Sequence, residues 1–338
     1  MKIVAKRAPS RGGVKLKLEN LHVVVTGGAG FIGSNLVNTL LSRGCKVTVY
    51  DSFERGTPKN LPADAENLRL RSADLRDYDG LEYELRGVDV LFDLAARVSG
   101  IRTLHDLPAD MLDSNSRTTL HVAEAASKAK VGRAIFASSS CVYDHPKVKV
   151  PHQEDDVRVP QTSYGQSKLF GESVYQACGE QYGLKYGIAR FFNIYGPNET
   201  LKGPHVIPDF IVKAFECKRG KKTFEILGDG KQTRSFLYVS DAVEGIIKLA
   251  EEERSGDIVN IGSDREVSVQ ELARLVLKTV GVKESGIEFA HSPVHPKDVR
   301  RRAADIRTAR ALLGWEPKVR LEDGLRKTVD WFGASAVS

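Results

Sequence analysis

The chain has 338 residues, enough for about two domains at roughly 150 residues each. It is 41% hydrophobic and 28% charged, with 50 basic against 44 acidic residues, the make-up of a folded globular chain and not of a disordered one. No apolar run approaches the ~20 residues that span a bilayer, and four scattered cysteines (Cys45, Cys141, Cys178, Cys217) form no CxxC pair, which argues against a disulfide framework or structural zinc and for a reducing cytoplasm.

From residue 1 to 19 the chain carries Lys2, Lys6, Arg7, Arg11, Lys15 and Lys17 against Glu19 alone, so most of the net charge of +6 sits there. The rest is nearly neutral, and neither a nucleic-acid nor a membrane partner is expected. The stretch has no apolar segment of the kind a secretory signal needs and reads as a basic solvated tail.

LHVVVT (21–26) reads as a buried strand and residues 30–43 as a helix. KVTVY (46–50), VDVLFDL (88–94) and RAIFAS (133–138) read as further strands, with helices over about 105–129 and 163–182. Strands alternating with helices predict a parallel sheet covered on both faces, an α/β fold of the Rossmann-like doubly wound kind. After residue 192 glycines and prolines cluster, and helices are predicted over about 207–219, 241–253, 269–280 and 322–332. Ser268 and Glu271 fit a capping box at the third of these. The expected organisation is a tail (1–19), a cofactor domain (20–192) and a smaller mixed α/β substrate domain (193–338) interleaved with it.

TGGAGFIG (26–33) follows the first strand and opens the first helix, with Gly27, Gly30 and Gly33 around Phe31 and Ile32. Glycine there permits the sharp turn, the close approach of a pyrophosphate and tight helix–strand packing, while the helix N-terminus faces the phosphates. Asp51 ends the second strand, where a carboxylate accepts ribose hydroxyls and repels a 2′-phosphate. That favours NAD over NADP, with Arg55 as the competing phosphate ligand. Tyr164 and Lys168 lie four apart on one helix face. An ammonium beside a phenol lowers its pKa and makes a general base. Ser138, Ser139 and Ser140 end the preceding strand, where ligands bind in open α/β sheets.

These motifs, together with LAA (94–96), RFFNIYGP (190–197) and GDGKQTRSF (228–236), resemble in order and spacing the extended short-chain dehydrogenase/reductase family over about residues 21–332. The resemblance implies an NAD(P)-dependent enzyme acting on a nucleotide-diphosphate sugar, with Ser139, Tyr164 and Lys168 as its catalytic triad. It places Asp74 and Leu75 at the adenine and Leu94, Ala95 and Ala96 along the cofactor. Gly100, Asn115, Asn193, Arg234 and Arg300 (in DVRR) fall to the substrate. It also implies a homodimer through the helices near 105–129 and 163–182.

Cys141, two residues after Ser139, resembles two branches of that family that epimerise beside a 4-keto group. One acts on GDP-mannose at carbons 3 and 5 and the other makes GDP-fucose, and Asp51 argues against the second, which uses NADPH. Oxidation at C4 acidifies the neighbouring C–H bonds, and a thiolate is a competent base if nearby charge lowers its pKa. Lys202 or His205 is the expected partner acid. The alternatives are a UDP-sugar 4-epimerase with an inert Cys141, a UDP-glucuronate decarboxylase, and an NAD-sensing regulator, which would not need the Tyr–Lys pair.

Overall fold

The computed structural model describes residues 16–98, 107–145, 147–201, 205–252, 254–293 and 298–335. The first half runs β1 (His22–Thr26), α1 (Phe31–Ser42), β2 (Lys46–Asp51), β3 (Leu68–Ser72), α2 (Leu81–Glu84), β4 (Val90–Asp93), α3 (Pro108–Ala129), β5 (Arg133–Ser139), α4 (Ser163–Tyr182) and β6 (Tyr186–Phe191). It continues with β7 (Ile194–Tyr195), α5 (Val206–Lys218), β8 (Thr223–Leu227), β9 (Thr233–Ser235), β10 (Leu237–Tyr238), α6 (Val239–Glu251) and β11 (Asp257–Ile261). Last come β12 (Glu266–Ser268), α7 (Val269–Val280), β13 (Glu288–Ser292), β14 (Arg301–Arg302), α8 (Arg307–Leu313) and α9 (Leu321–Ser335).

Seven strands form one parallel sheet in the order β11-β6-β5-β4-β1-β2-β3. Its strand order reverses between β1 and β4, the crevice where doubly wound sheets bind ligands. Alternation along each strand splits the interior into two cores. Val23 and Val25 of β1 and Ile135 of β5 face the core under α1 and α6. Val24, Ala134 and Phe136 face the core under α3 and α4. The first core runs on without a break into Phe210, Phe224 and Leu272 of the second half.

Helices α4 and α7 occupy the predicted 163–182 and 269–280, and Ser268 Oγ accepts the Glu271 N–H at 3.1 Å. Strand β11 was not foreseen. It comes from beyond residue 192 yet pairs with β6, so the second half supplies the edge of the cofactor sheet. The remaining strands make small sheets: β8 with β13, β7 with β10, and β9 between β12 and β14. Of the basic tail only residues 16–19 are described, and Leu18 is buried there, its carbonyl accepting from the Cys45 thiol. Among the described residues no helix is long and apolar enough to cross a membrane.

Strands β5 and β6 and helix α4 are tied by an ion pair with almost no solvent contact. Arg190 Nε and Nη2 donate to the two Glu172 oxygens at 2.8 and 2.7 Å. Ser138 Oγ donates to Glu172 Oε1 at 2.6 Å, and Arg190 Nη1 reaches the Tyr143 hydroxyl and the Glu154 carbonyl. Burial opposes the guanidinium charge, but Glu172 outweighs it and the net shift is upward. Removing one partner of such a pair leaves the other charge buried and uncompensated. Glu172→Ala is therefore expected to cost roughly 3–5 kcal/mol of stability in urea unfolding. A cost within about 0.5 kcal/mol, the range of an ordinary surface change, would contradict this.

Candidate active site

The carboxyl ends of the sheet strands open on a cavity of about 900 Å³, walled on the other side by residues of α5, β9 and β14. Gly27 leaves β1 in the left-handed region (φ +66°), and its N–H bonds the Tyr50 carbonyl at 2.8 Å. A Cβ on Gly33 would fall on the Gly27 carbonyl oxygen. Helix α1 thus starts hard against the strand. Gly30 is its N-cap, and neither a capping side chain nor a first-turn acid occupies its free N–H groups. Such an end is a seat for phosphate. Phe31 and Ile32 line the cavity beside it.

Asp51 is buried at the end of β2. Its Oδ2 accepts the Ala29 N–H at 3.0 Å and its Oδ1 the Phe53 N–H at 2.8 Å, which leaves lone pairs for ribose hydroxyls. Leu94 and Ala95 donate their N–H groups to Thr26 Oγ1 at 3.1 and 3.0 Å, which lays the Leu94–Ala96 segment across from Gly27. Asp74 and Leu75 line the far end of the cavity, where the Arg76 hydrogen bond holds the Asp74 carboxyl below its usual range. The glycine cradle and the uncapped helix end fit the pyrophosphate of NAD, and the Asp51 carboxylate fits its ribose. Arg55 reaches the Val98 carbonyl.

Thr162 Oγ1 accepts the Gly165 N–H at 3.1 Å and caps α4, which puts Tyr164 in the first turn. A Cβ on Gly165 would come within 2.6 Å of the Cys141 carbonyl oxygen, so glycine lets the helix lie directly on the turn after β5. Ser139 ends that strand. Its Oγ accepts the Cys141 N–H at 3.2 Å, and both it and Tyr164 line the cavity. Lys168 is buried one turn further on, with Nζ donating to the Ala137 carbonyl at 2.8 Å and 5.8 Å from the centre of the Tyr164 ring. Ser139, Tyr164 and Lys168 thus all line the one cavity.

Their protonation differs from the sequence expectation. Burial, and then Cys141, raises the pKa of Tyr164, with the Ser139 hydrogen bond as the opposing influence. Lys168, expected to lower the phenol, is not among the causes of that shift, and its Nζ donates to the Ala137 carbonyl. Burial lowers Lys168 to about 8 against the pull of Asp93. Cys141 is a second correction. Burial, then Asp144, pushes its thiol up to about 11 although Arg302 pulls the other way. At neutral pH it is a thiol and not the thiolate base expected.

Arg234 lines the cavity as predicted, donating to Asp298 Oδ1 at 2.9 Å and to the Thr233 carbonyl at 2.8 Å. Arg300 does not line it. It precedes β14 and pairs on the surface with Asp229 at 2.7 and 2.9 Å. Arg302 takes its place, partly buried on the cavity wall and held by Asp144 at 2.6 and 2.7 Å. Within β14 alternation turns Arg301 out to Glu266 and Arg302 in. Asn193 lines the cavity and donates to the Ser235 carbonyl at 2.9 Å.

Asn115 is turned to a different task. Its Oδ1 accepts the Arg97 N–H at 2.7 Å and its Nδ2 donates to the Arg97 carbonyl at 3.0 Å and to Ser167 Oγ. It anchors the segment after β4 instead of facing the cavity. Gly100 and Lys202 lie outside the described residues. His205 stands on the cavity wall, with Nδ1 2.7 Å from Glu199 Oε1. Sequence reasoning missed Arg302 and Glu199. The apolar Ala303-Ala304 after Arg302 was a usable signal for the first, and a carboxylate six residues before His205 a weak one for the second. Among the described residues no group of His, Cys, Asp and Glu is placed to hold a metal ion.

Residues 23–262 match the family model described as the NAD dependent epimerase/dehydratase family. The chain belongs to that family. It is an enzyme of that family, with NAD as its cofactor. It is 35% identical over 320 residues to a UDP-N-acetyl-alpha-D-glucosaminuronate decarboxylase of Bacillus cytotoxicus, covering 91% of this chain and 97% of that one. It is 33% identical over 322 residues to a GDP-mannose 3,5-epimerase of Arabidopsis thaliana, covering 93% and 82%. Among solved structures a UDP-glucose 4-epimerase of Thermotoga maritima, in complex with UDP-glucose, superposes with a TM-score of 0.85 at 32% identity, covering 94% of this chain and 100% of that one.

Two results are expected. Asp51→Asn should weaken NAD binding by roughly tenfold in calorimetry, the worth of a charged hydrogen bond. Unchanged affinity would remove Asp51 from the ribose site. Lys168 loses its proton as pH rises through about 8. The kcat/KM of the free enzyme should therefore fall on the alkaline side near that value. A profile that stays flat to about pH 10, near the ordinary lysine value, would contradict it.

Proposed function

We propose that the chain is a nucleotide-sugar epimerase that works through a transient 4-keto sugar, with GDP-mannose 3,5-epimerisation as its specific reaction. The observation that carries this reading is the shared cavity. Ser139, Cys141, Tyr164 and His205 all line it, which supports a reading in which groups able to move an O–H proton and groups able to move a C–H proton act on one sugar. A plain 4-epimerase needs only the former.

When bound, NAD supplies the acceptor for the C4 hydride and its donor on return. Ser139 Oγ hydrogen-bonds the C4 oxygen and Tyr164 exchanges its proton. Lys168 holds the cofactor's nicotinamide ribose. As a ketone forms at C4, the C3–H and C5–H bonds become acidic because their electron pair can delocalise onto the carbonyl oxygen. Cys141 and His205 are the side chains placed to handle those protons. Asn193, Arg234 and Arg302 face the nucleotide diphosphate, for which the guanidinium fork is well suited. A homodimer would use the outer faces of α3 and α4, where Leu112, Leu120 and Phe170 are exposed.

The decarboxylase reading has two observations in its favour: the 35% identity to a decarboxylase, and Arg302, a partly buried cation on the cavity wall, as a sugar carboxylate would need. Asp144 accepts from Arg302 Nε and Nη2 and not from Nη1, so the preference for the epimerase reading rests on the shared cavity.

Turnover in heavy water separates these reactions. With NAD and GDP-mannose the enzyme should yield epimers carrying deuterium at C3 or C5. Carbon dioxide released from UDP-glucuronate would favour decarboxylation. Interconversion of UDP-glucose and UDP-galactose with no carbon-bound label would favour 4-epimerisation. Tyr164→Phe should lower turnover roughly 10²–10⁴-fold. Undiminished activity would overturn every catalytic reading of this cavity.

A further inference from the structure

A second titratable pair stands in the cavity, away from the helix that carries Tyr164. Glu199 lies in the loop after β7 with its side chain only 3% exposed, and His205 opens α5 with its side chain half exposed. His205 occupies the N-cap of α5 but makes no side-chain bond to the helix N–H groups. Its ring is turned instead to Glu199, with Nδ1 and Oε1 2.7 Å apart. The other oxygen, Oε2, is buried with no hydrogen-bond partner among the described residues. A buried acceptor without a partner in the protein calls for one from a water or a bound molecule. Burial raises the Glu199 carboxyl, opposed first by the His205 hydrogen bond and also by Arg55.

We propose that Glu199 is a positioning residue that fixes His205 as the group which moves a carbon-bound proton next to C4. The inference rests on the 4-keto reading above. With Nδ1–H given to Glu199, the neutral imidazole presents its lone pair at Nε2. Nε2 takes the proton from the carbon beside the carbonyl. The C–H electron pair becomes the C=C bond of an enediolate, and the carbonyl pair moves to the C4 oxygen, where Ser139 and Tyr164 donate. The imidazolium is held by the Glu199 carboxylate. The Cys141 thiol returns a proton to the same carbon, the enediolate collapses to the ketone, and the thiolate and imidazolium then re-equilibrate with water. No electrons are gained or lost.

The test uses the full chain loaded with NAD, with GDP-mannose as probe in heavy water. Glu199→Gln should lower deuterium wash-in at C3 or C5 roughly 10²-fold more than it lowers formation of reduced NAD. His205→Gln should do the same, and the double variant little more, since the two act as one unit. A second readout needs no turnover. Nitrogen-15 NMR of the resting protein should show His205 protonated at Nδ1 and bare at Nε2, and Glu199→Gln should disturb that tautomer. Equal loss of wash-in and hydride transfer would mean a structural role only and overturn the proposal, as would wild-type wash-in in Glu199→Gln. If wild type reduces no NAD with GDP-mannose, the reading of the substrate fails, and the NMR still decides. A His205 tautomer protonated at Nε2 would then overturn the role of Glu199, and one protonated at Nδ1 and dependent on Glu199 would support it.

Discussion

The active site depends on the buried pair between Arg190 and Glu172. Glu172 follows Lys168 by four residues and Tyr164 by eight, so the three side chains share one stripe of α4. Anchoring Glu172 to Arg190 on β6 and to Ser138 on β5 fixes the rotation of that helix. Once rotation is fixed, Lys168 and Tyr164 face the end of β5 and meet Ser139. The pair reaches further through Tyr143, whose hydroxyl donates to Asn260 of β11 at 3.0 Å. The edge strand supplied by the second half of the chain is thereby tied to the same point. A buried ion pair is seldom worth much as net stability, because desolvation opposes its attraction. Here the remaining polar positions are filled by Ser138, Tyr143 and the Glu154 carbonyl, and the gain is a defined orientation.

Burial also governs the protonation of the site. Tyr164 and Cys141 are both shifted toward their neutral, protonated forms, and Lys168 toward losing its charge. Two arginines of the wall are already matched, Arg302 with Asp144 and Arg234 with Asp298. Charge on a bound molecule then acts in a medium that screens it little, and it displaces proton equilibria more than it would in water.

The chemistry-bearing positions that depend on short spacing were legible in the sequence. The glycine loop, Asp51 and the Tyr164–Lys168 pair each lie within one turn or one strand end, where local geometry follows from residue order. Fold class followed from the alternation of apolar strands and helices. Features made by distant segments were not legible. Which arginine of DVRRR faces inward depends on where β14 begins, and that is set by its pairing with β9. The fate of Asn115 depends on the path of the chain after β4. The protonation of Cys141 depends on burial and on Asp144, and no spacing rule reports either. The Glu199–His205 pair likewise forms across a turn whose shape the loop residues do not announce.

The central claim is a redox-neutral cycle that begins and ends at C4 of a nucleotide sugar. Its most direct test is to turn over GDP-mannose deuterated at C4 with one equivalent of NAD per enzyme, and to follow the label together with the cofactor's redox state. The account predicts that the epimerised product keeps its deuterium at C4 and that reduced NAD does not build up with product. An oxidised sugar released together with an equal amount of reduced NAD would contradict it.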